Sequence, residues 1–227
     1  MLRIRTGFSA LAVCAVLAAC TDQAGVMEDI DVTLRQTNDI LTQAVSGWYA
    51  SVSGTDGATA AIDKDTVESL VVRVTDIQFL PVENAAAEAD AGAWVPLMLT
   101  NSVLLDLMSL PTEGESPLMI ASGTVLVGEY NNVRFFTDSA AIVFKGPIDL
   151  GGGFSFEGGE VYQVTIPSGG ETGIKTDANF TVVEGVDGTA DDVNLLFSPG
   201  ATFLNVTGTG TGEVILAPVI RSRPDGS

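Results

Sequence analysis

The stretch Val67 to Pro81, "VESLVVRVTDIQFLP", decides the class of fold. Leu70, Val72 and Val74 fall on alternate positions, Asp76 interrupts, and Ile77 and Phe79 resume. Successive side chains of a strand point to opposite faces, so apolar residues at every second position mark a half-buried strand. The β-branched content favours extended backbone, and Pro81 closes the run because it cannot donate to a ladder. Downstream come "AWVPLML", "SVLLDLMSL", "SGTVLVGEYNNVRFFTDSAAIVFKG", "VYQVTIP", "NFTVVEG", "DVNLLFSP", "ATFLNVTG" and "GEVILAPVI". The third of these reads as two strands joined near Asp138 to Ala140. Such runs, separated by Gly, Pro and Asp turns, predict an all-β sandwich or barrel. The 25 Gly and nine Pro suit a fold with many turns.

Upstream the pattern differs. In "MEDIDVTLRQTNDILTQAVSGWYA", Met27 to Ala50, the residues Ile30, Leu34, Ile40, Leu41, Ala44 and Val45 fall near helical spacing, with acids in the first turn. The expectation is a short N-terminal helix followed by a polar loop, together residues 28–60, ahead of a sandwich domain over 61–223.

The chain opens "MLRIRTG", and an apolar run then ends in "VLAAC". Basic residues, a short apolar core and small residues before a cleavage point make a secretory signal. The run is too short to span a bilayer, which takes about 20 residues. Leu17-Ala18-Ala19-Cys20 resembles the bacterial lipobox, in which the Cys becomes the first mature residue and carries acyl chains on its sulfur and its amine. Two or more chains anchor a protein stably, where one does so only marginally. Residues 1–19 are thus expected to be a lipoprotein signal, Cys20 the lipidation site and 20–27 a tether. Thr21, in place of Asp, lacks the best-known inner-membrane retention signal. The expected location is the cell envelope, anchored to the outer membrane.

Removing Arg3 and Arg5 with the leader leaves eight basic against 29 acidic side chains, a net charge of −21. That field repels nucleic acid and excludes it as a partner. There is no His, which removes the commonest general base and zinc ligand. Cys14 leaves with the signal and Cys20 is the anchor, so the mature chain has neither a disulfide nor a free thiol. Any catalysis would rest on carboxylates, Lys or Tyr. No nucleophile elbow, triad or cofactor fingerprint is present.

Seven motifs in order, "VESLVVRVTDIQFLP", Trp94 in "AWVPL", "LLDLMSL", "VLVGEYNNVRFFTDSA", "VTIPSG", "GIKTDANFTVVEG" and "VILAPVIR", resemble the DUF4382 family of secreted and lipid-anchored prokaryotic proteins. The resemblance covers about Val67 to Arg221. It implies an antiparallel β-sandwich of the immunoglobulin-like or transthyretin-like kind and no known reaction. Two departures stand out. The family's first strand has no clear counterpart around Trp48 to Ala60. Its late "LDFD"-like strand reads "NLLFSPG" here, with Leu196 and Ser198 where acids would stand.

Four groups of residues carry candidate chemistry. Asp187, Asp191 and Asp192 share the loop "GVDGTADDVN", and calcium takes six to eight oxygens from such carboxylates and carbonyls. Calcium is therefore the one cofactor considered. A solvated turn is the favoured reading, because Asp also serves turns through local hydrogen bonds. "PIDLGGGFSFEGGEVY" has no Lys-Ser or Lys-Thr after its glycines, so it is a hairpin and not a phosphate loop. Phe154 and Phe156 there, with Trp48 and Tyr49, are the aromatic candidates for stacking on a glycan or docking an envelope protein. Inward packing of the two Phe rings is the preferred alternative. Trp94 is expected in the core. Arg73 and Arg134 are expected to pair with carboxylates. The resulting expectation is a lipid-anchored, non-catalytic binding or structural domain. A carbohydrate-binding or adhesive module and a carboxylate-only hydrolase are the alternatives.

Overall fold

The computed structural model describes residues 25–37, 58–87, 91–97, 102–151, 154–167, 169–184, 193–203, 206–208, 213–216 and 218–222. In chain order the strands are β1 (Met27–Gln36), β2 (Ala58–Ala60), β3 (Val67–Pro81), β4 (Val95–Leu97), β5 (Val103–Asp106), β6 (Leu118–Leu126), β7 (Gly128–Phe144), β8 (Ile148–Gly151), β9 (Phe154–Phe156), β10 (Val161–Thr165), β11 (Ile174–Val182) and β12 (Val193–Phe197). After the one-turn helix α1 (Pro199–Thr202) come β13 (Val206–Gly208), β14 (Val214–Ile215) and β15 (Ile220–Ser222). The chain is an all-β, sandwich-like fold.

A small sheet runs β15-β12-β1-β6, and a large one runs β2-β13-β14-β10-β7-β3-β4. The long strands β3 and β7 pair along most of their length. Each then takes two short strands on its other edge: β5 and β4 on β3, and β10 and β11 on β7. The sheets are mostly antiparallel, but β1–β12 and β10–β14 are parallel. Parallel partners need a long crossover, and β1 and β12 lie far apart in the chain.

The inner faces meet in one core that includes Ile30, Val32 and Leu34 from β1 and Val72, Val74 and Phe135 from the large sheet. A narrow apolar crevice of about 20 Å³ remains between the sheets, lined by Leu34, Val72, Phe135, Ile174 and Ile220 among others.

The irregularities in the sequence pattern are β-bulges. Arg73 faces Ser139 and Val74 faces Thr137, so Asp138 is an extra residue on β7. Val74 faces Thr137 and Asp76 faces Phe136, which makes Thr75 the extra residue on β3. A bulged-out extra residue lets the inward positions change between even and odd numbers while the later side chains stay on the same face of the sheet. The buried set on β3 accordingly switches from Val72 and Val74 to Ile77 and Phe79. On β7 it switches from Phe135 and Thr137 to Ala140, Ile142 and Phe144. The expected break into two strands near Asp138 to Ala140 is therefore incorrect: β7 continues through it, bulged.

The expected N-terminal helix is also incorrect over the described part. Residues 27–36 form β1, an inner strand with β12 on one edge and β6 on the other. Ile30 and Leu34 are four apart, a spacing that satisfies both the helical and the extended period. Val32 between them decides for the strand, and all three are buried at 1 % exposure or less. Thr33 Oγ1 donates to Asn194 Oδ1 across the β1–β12 pair at 2.9 Å. Gln36 Nε2 donates to the carbonyls of Leu107 and Met108 at 3.0 and 2.7 Å, tying β1 to the turn after β5. β1 thus pairs within the small sheet, and the short strand β2 lies at the end of the Trp48 to Ala60 stretch.

Candidate functional site

Cys20, Trp48, Tyr49, Asp187, Asp191 and Asp192 lie outside the described residues. Among the described residues no group of three or more Cys, Asp or Glu is placed to hold a metal ion. Phe156 is 2 % exposed and packs edge-on against Tyr162 at 4.8 Å and beside Phe144 at 5.7 Å. Phe154 is half-buried against the same core. The β8–β9 hairpin therefore folds its two rings inward, and Phe156 has no face open to a glycan. The Tyr162 hydroxyl accepts the Glu157 amide at 2.6 Å, which closes the turn between β9 and β10.

The densest polar arrangement lies on the outer face of the large sheet. Gln78, Arg134 and Lys175 stand in one row across β3, β7 and β11. Val133 and Phe135 point into the core, so Arg134 points out, as strand alternation requires. There Trp94 covers it, delivered by the short 3₁₀ turns that follow β3. The guanidinium carbon sits 4.2 Å from the centre of the Trp94 ring and 5.0 Å from that of Phe136. Lys175 Nζ is 5.7 Å from the Trp94 ring. Such cation–π contacts gain strength when desolvated.

Arg134 donates through Nε to Gln78 Oε1 at 2.9 Å and through Nη2 to the same oxygen. Gln78 Nε2 donates in turn to Asp76 Oδ2 at 2.6 Å. Arg134 thus reaches its carboxylate through an amide, and not by the direct ion pair expected. Burial lowers its pKa, and the Asp76 charge opposes that shift. With Trp94 and Arg134 only 5 % and 7 % exposed, the cluster is a closed fastening of the 82–94 segment. Leu80, Ala93 and Trp94 form a second small core beneath it. Arg73 does pair directly, with Asp138 at 3.6 Å on the exposed surface.

A second arrangement lies on the small sheet. Arg35 of β1 stands in register with Leu196 of β12. These two, with Glu113 and Gly114, line an open recess of about 250 Å³. Arg35 Nε is buried without a hydrogen-bond partner. Leu196 is one of the two positions where the family resemblance implies an acid. The other, Ser198, is buried and caps α1, accepting the Ala201 amide at 3.4 Å. Ser and Asp serve almost equally as N-caps, so this exchange keeps the local fold.

The sequence reading missed Gln78, Lys175 and Arg35. Gln78 lies beyond the Thr75 bulge, which shifts the outward positions of β3 from odd to even numbers. Arg35 lay in a segment read as helix. The register Gln78–Arg134–Lys175 is long-range pairing that no local pattern shows.

The family model described as a domain of unknown function, DUF4382, matches residues 54–218. No curated protein and no solved structure matches the chain. The match begins downstream of β1, although β1 forms hydrogen-bonded ladders with β6 and β12 inside it.

Proposed function

The chain belongs to the DUF4382 family, and we propose that it is a lipid-anchored domain of the bacterial cell envelope with a non-catalytic binding or structural role. The observation that carries this reading is the way the lipobox connects to the fold. Cys20 lies seven residues before Met27, where β1 begins. β1 is an inner strand, so a pull on the anchor is shared between two ladders instead of peeling an edge. A load-sharing entry strand suits a domain held at a membrane surface. The absence of His and of mature thiols from the sequence, and the closed state of the Arg134 cluster, support a role in binding or scaffolding over turnover.

The test is fractionation of the full chain expressed in a two-membrane bacterium. Wild type is expected with the outer membrane and released only by detergent. The Cys20→Ala variant is expected uncleaved in the inner membrane or soluble in the periplasm. Wild type recovered in the soluble fraction contradicts the reading. No helix among the described residues is long and apolar enough to cross a membrane.

A further inference from the structure

Six exposed apolar side chains gather at one end of the sandwich, while Leu104, Leu118, Met119 and Val161 are exposed elsewhere. Val26 and Met27 precede or open β1, and Leu126 and Val127 close β6; Met27 faces Leu126, and the Val127 amide donates to the Val26 carbonyl at 2.8 Å. Val127 leads directly into β7. Val82 follows Pro81, which faces Tyr130 near the start of β7. Val183 follows Val182, which faces Gly128 on the other edge of β7. These six side chains are between 38 % and 51 % exposed. They come from β1, β3, β6, β7 and β11 and converge because all five strands have an end there. The Tyr130 hydroxyl donates to the Leu126 carbonyl at 2.8 Å, and a Cβ on Gly25 would sit 2.7 Å from Leu126 Cδ2, so the chain enters pressed against this end.

We propose that this apolar end rests on the lipid surface to which the chain is tethered. The inference builds on the anchored reading given above. The occupant follows from the length of the tether. Cys20 to Val26 is six residues, which span at most about 20 Å when fully extended. The polar layer of one leaflet is itself roughly 5–8 Å thick. An acylated Cys20 therefore holds Val26, and with it the whole apolar end, within a short distance of the headgroups. Apolar side chains gathered at one end and rimmed by polar residues are the kind of patch that marks a contact surface. Asp29, Glu83, Glu129 and Glu184 are exposed beside the patch, so the surface that fits is zwitterionic or uncharged.

The test uses the full lipidated chain in vesicles of phosphatidylcholine. Cys20 has its sulfur acylated, so a thiol-reactive fluorophore reports one new site at a time. Val127→Cys places it at the apolar end. Val161→Cys places it at an exposed residue facing Val143, at the opposite end of β7, about 50 Å away. Lipid carrying a nitroxide near the headgroup is expected to quench position 127 several-fold more than position 161. The pair Leu126→Ser and Val26→Ser, made in the Val127→Cys background, is expected to reduce that quenching while the protein still floats with the vesicles.

Flotation with equal quenching at 127 and 161 overturns this inference and leaves the anchored reading standing. Protein that fails to float overturns both. A probe at 127 that ignores the nitroxide, in a protein that sediments as a dimer, overturns it in favour of a second copy covering the patch.

Discussion

Replacing Trp94 by Ala probes whether the outer face of the large sheet is fastened by the cation cluster. The ring is 5 % exposed and covers Leu80 and Arg134. A tryptophan side chain buries roughly 150–250 Å², and at ~25 cal/mol/Å² that is about 4–6 kcal/mol. Buried Trp→Ala changes cost about 3–5 kcal/mol when measured. The lower end applies here, because the ring packs in a small cluster with Leu80 and Ala93, apart from the main core. About 3 kcal/mol is thus expected. With a urea slope of roughly 2 kcal/mol/M the midpoint falls by about 1.5 M. Far-UV circular dichroism is the assay, since Trp48 dominates the fluorescence once Trp94 is gone. A cycle with Arg134→Met should show coupling of about 0.5–2 kcal/mol. A midpoint drop under about 0.5 M, or no coupling, refutes the fastening.

Other predictions follow from single contacts. Asp138→Ala removes the exposed pair with Arg73 and the bond from Ser139 Oγ and should change stability by less than about 1 kcal/mol. Deleting Asp138 removes the bulge and leaves Ala140, Ile142 and Phe144 alternating on the core face with Val133, Phe135 and Thr137, so the deletion variant should still fold, whereas an unfolded deletion variant in urea melts would refute the bulge reading. Leu196→Asp sets a carboxylate beside Arg35 and should be more stable than Leu196→Asn by about 0.5–1 kcal/mol, a difference that 1 M salt reduces. Burial, and secondarily the Glu83 charge, raises the Tyr130 pKa above its ordinary value of 10.0. The unfolded chain then releases this proton first, so stability falls as pH rises through about 10; Tyr130→Phe should lose about 1 kcal/mol at pH 8, from the bond to Leu126, and show a shallower alkaline decline in urea melts. Gly173 has φ +76°, and its Cβ would sit 3.1 Å from the Phe135 carbonyl, so Gly173→Ala should cost about 1 kcal/mol or more in the same melts.

Much of the large sheet is legible in the sequence, because Val67 to Pro81 and Val133 to Phe144 alternate strongly. What hides is phase. The bulges at Thr75 and Asp138 resemble interruptions, and only the partner strand shows that pairing continues through them. β1 hides for a different reason. Ile30 and Leu34 sit at a spacing that fits helix and strand alike, and the partners that decide the matter, β6 and β12, lie some 90 and 160 residues downstream. Exposed ends are harder still. Val26, Val82, Leu126, Val127 and Val183 are unremarkable singly, and only topology gathers them. The inward packing of Phe156 follows from the general tendency of Phe to be buried, and Tyr162 and Phe144 are the partners that hold it.

The anchored reading rests on Cys20, and intact mass spectrometry of the protein purified from membranes addresses it directly. The account predicts a chain that begins at Cys20 and carries the added mass of a diacylglyceryl group on sulfur together with an acyl group on the amine. A chain that begins at any other residue, or at an unmodified Cys20, contradicts it.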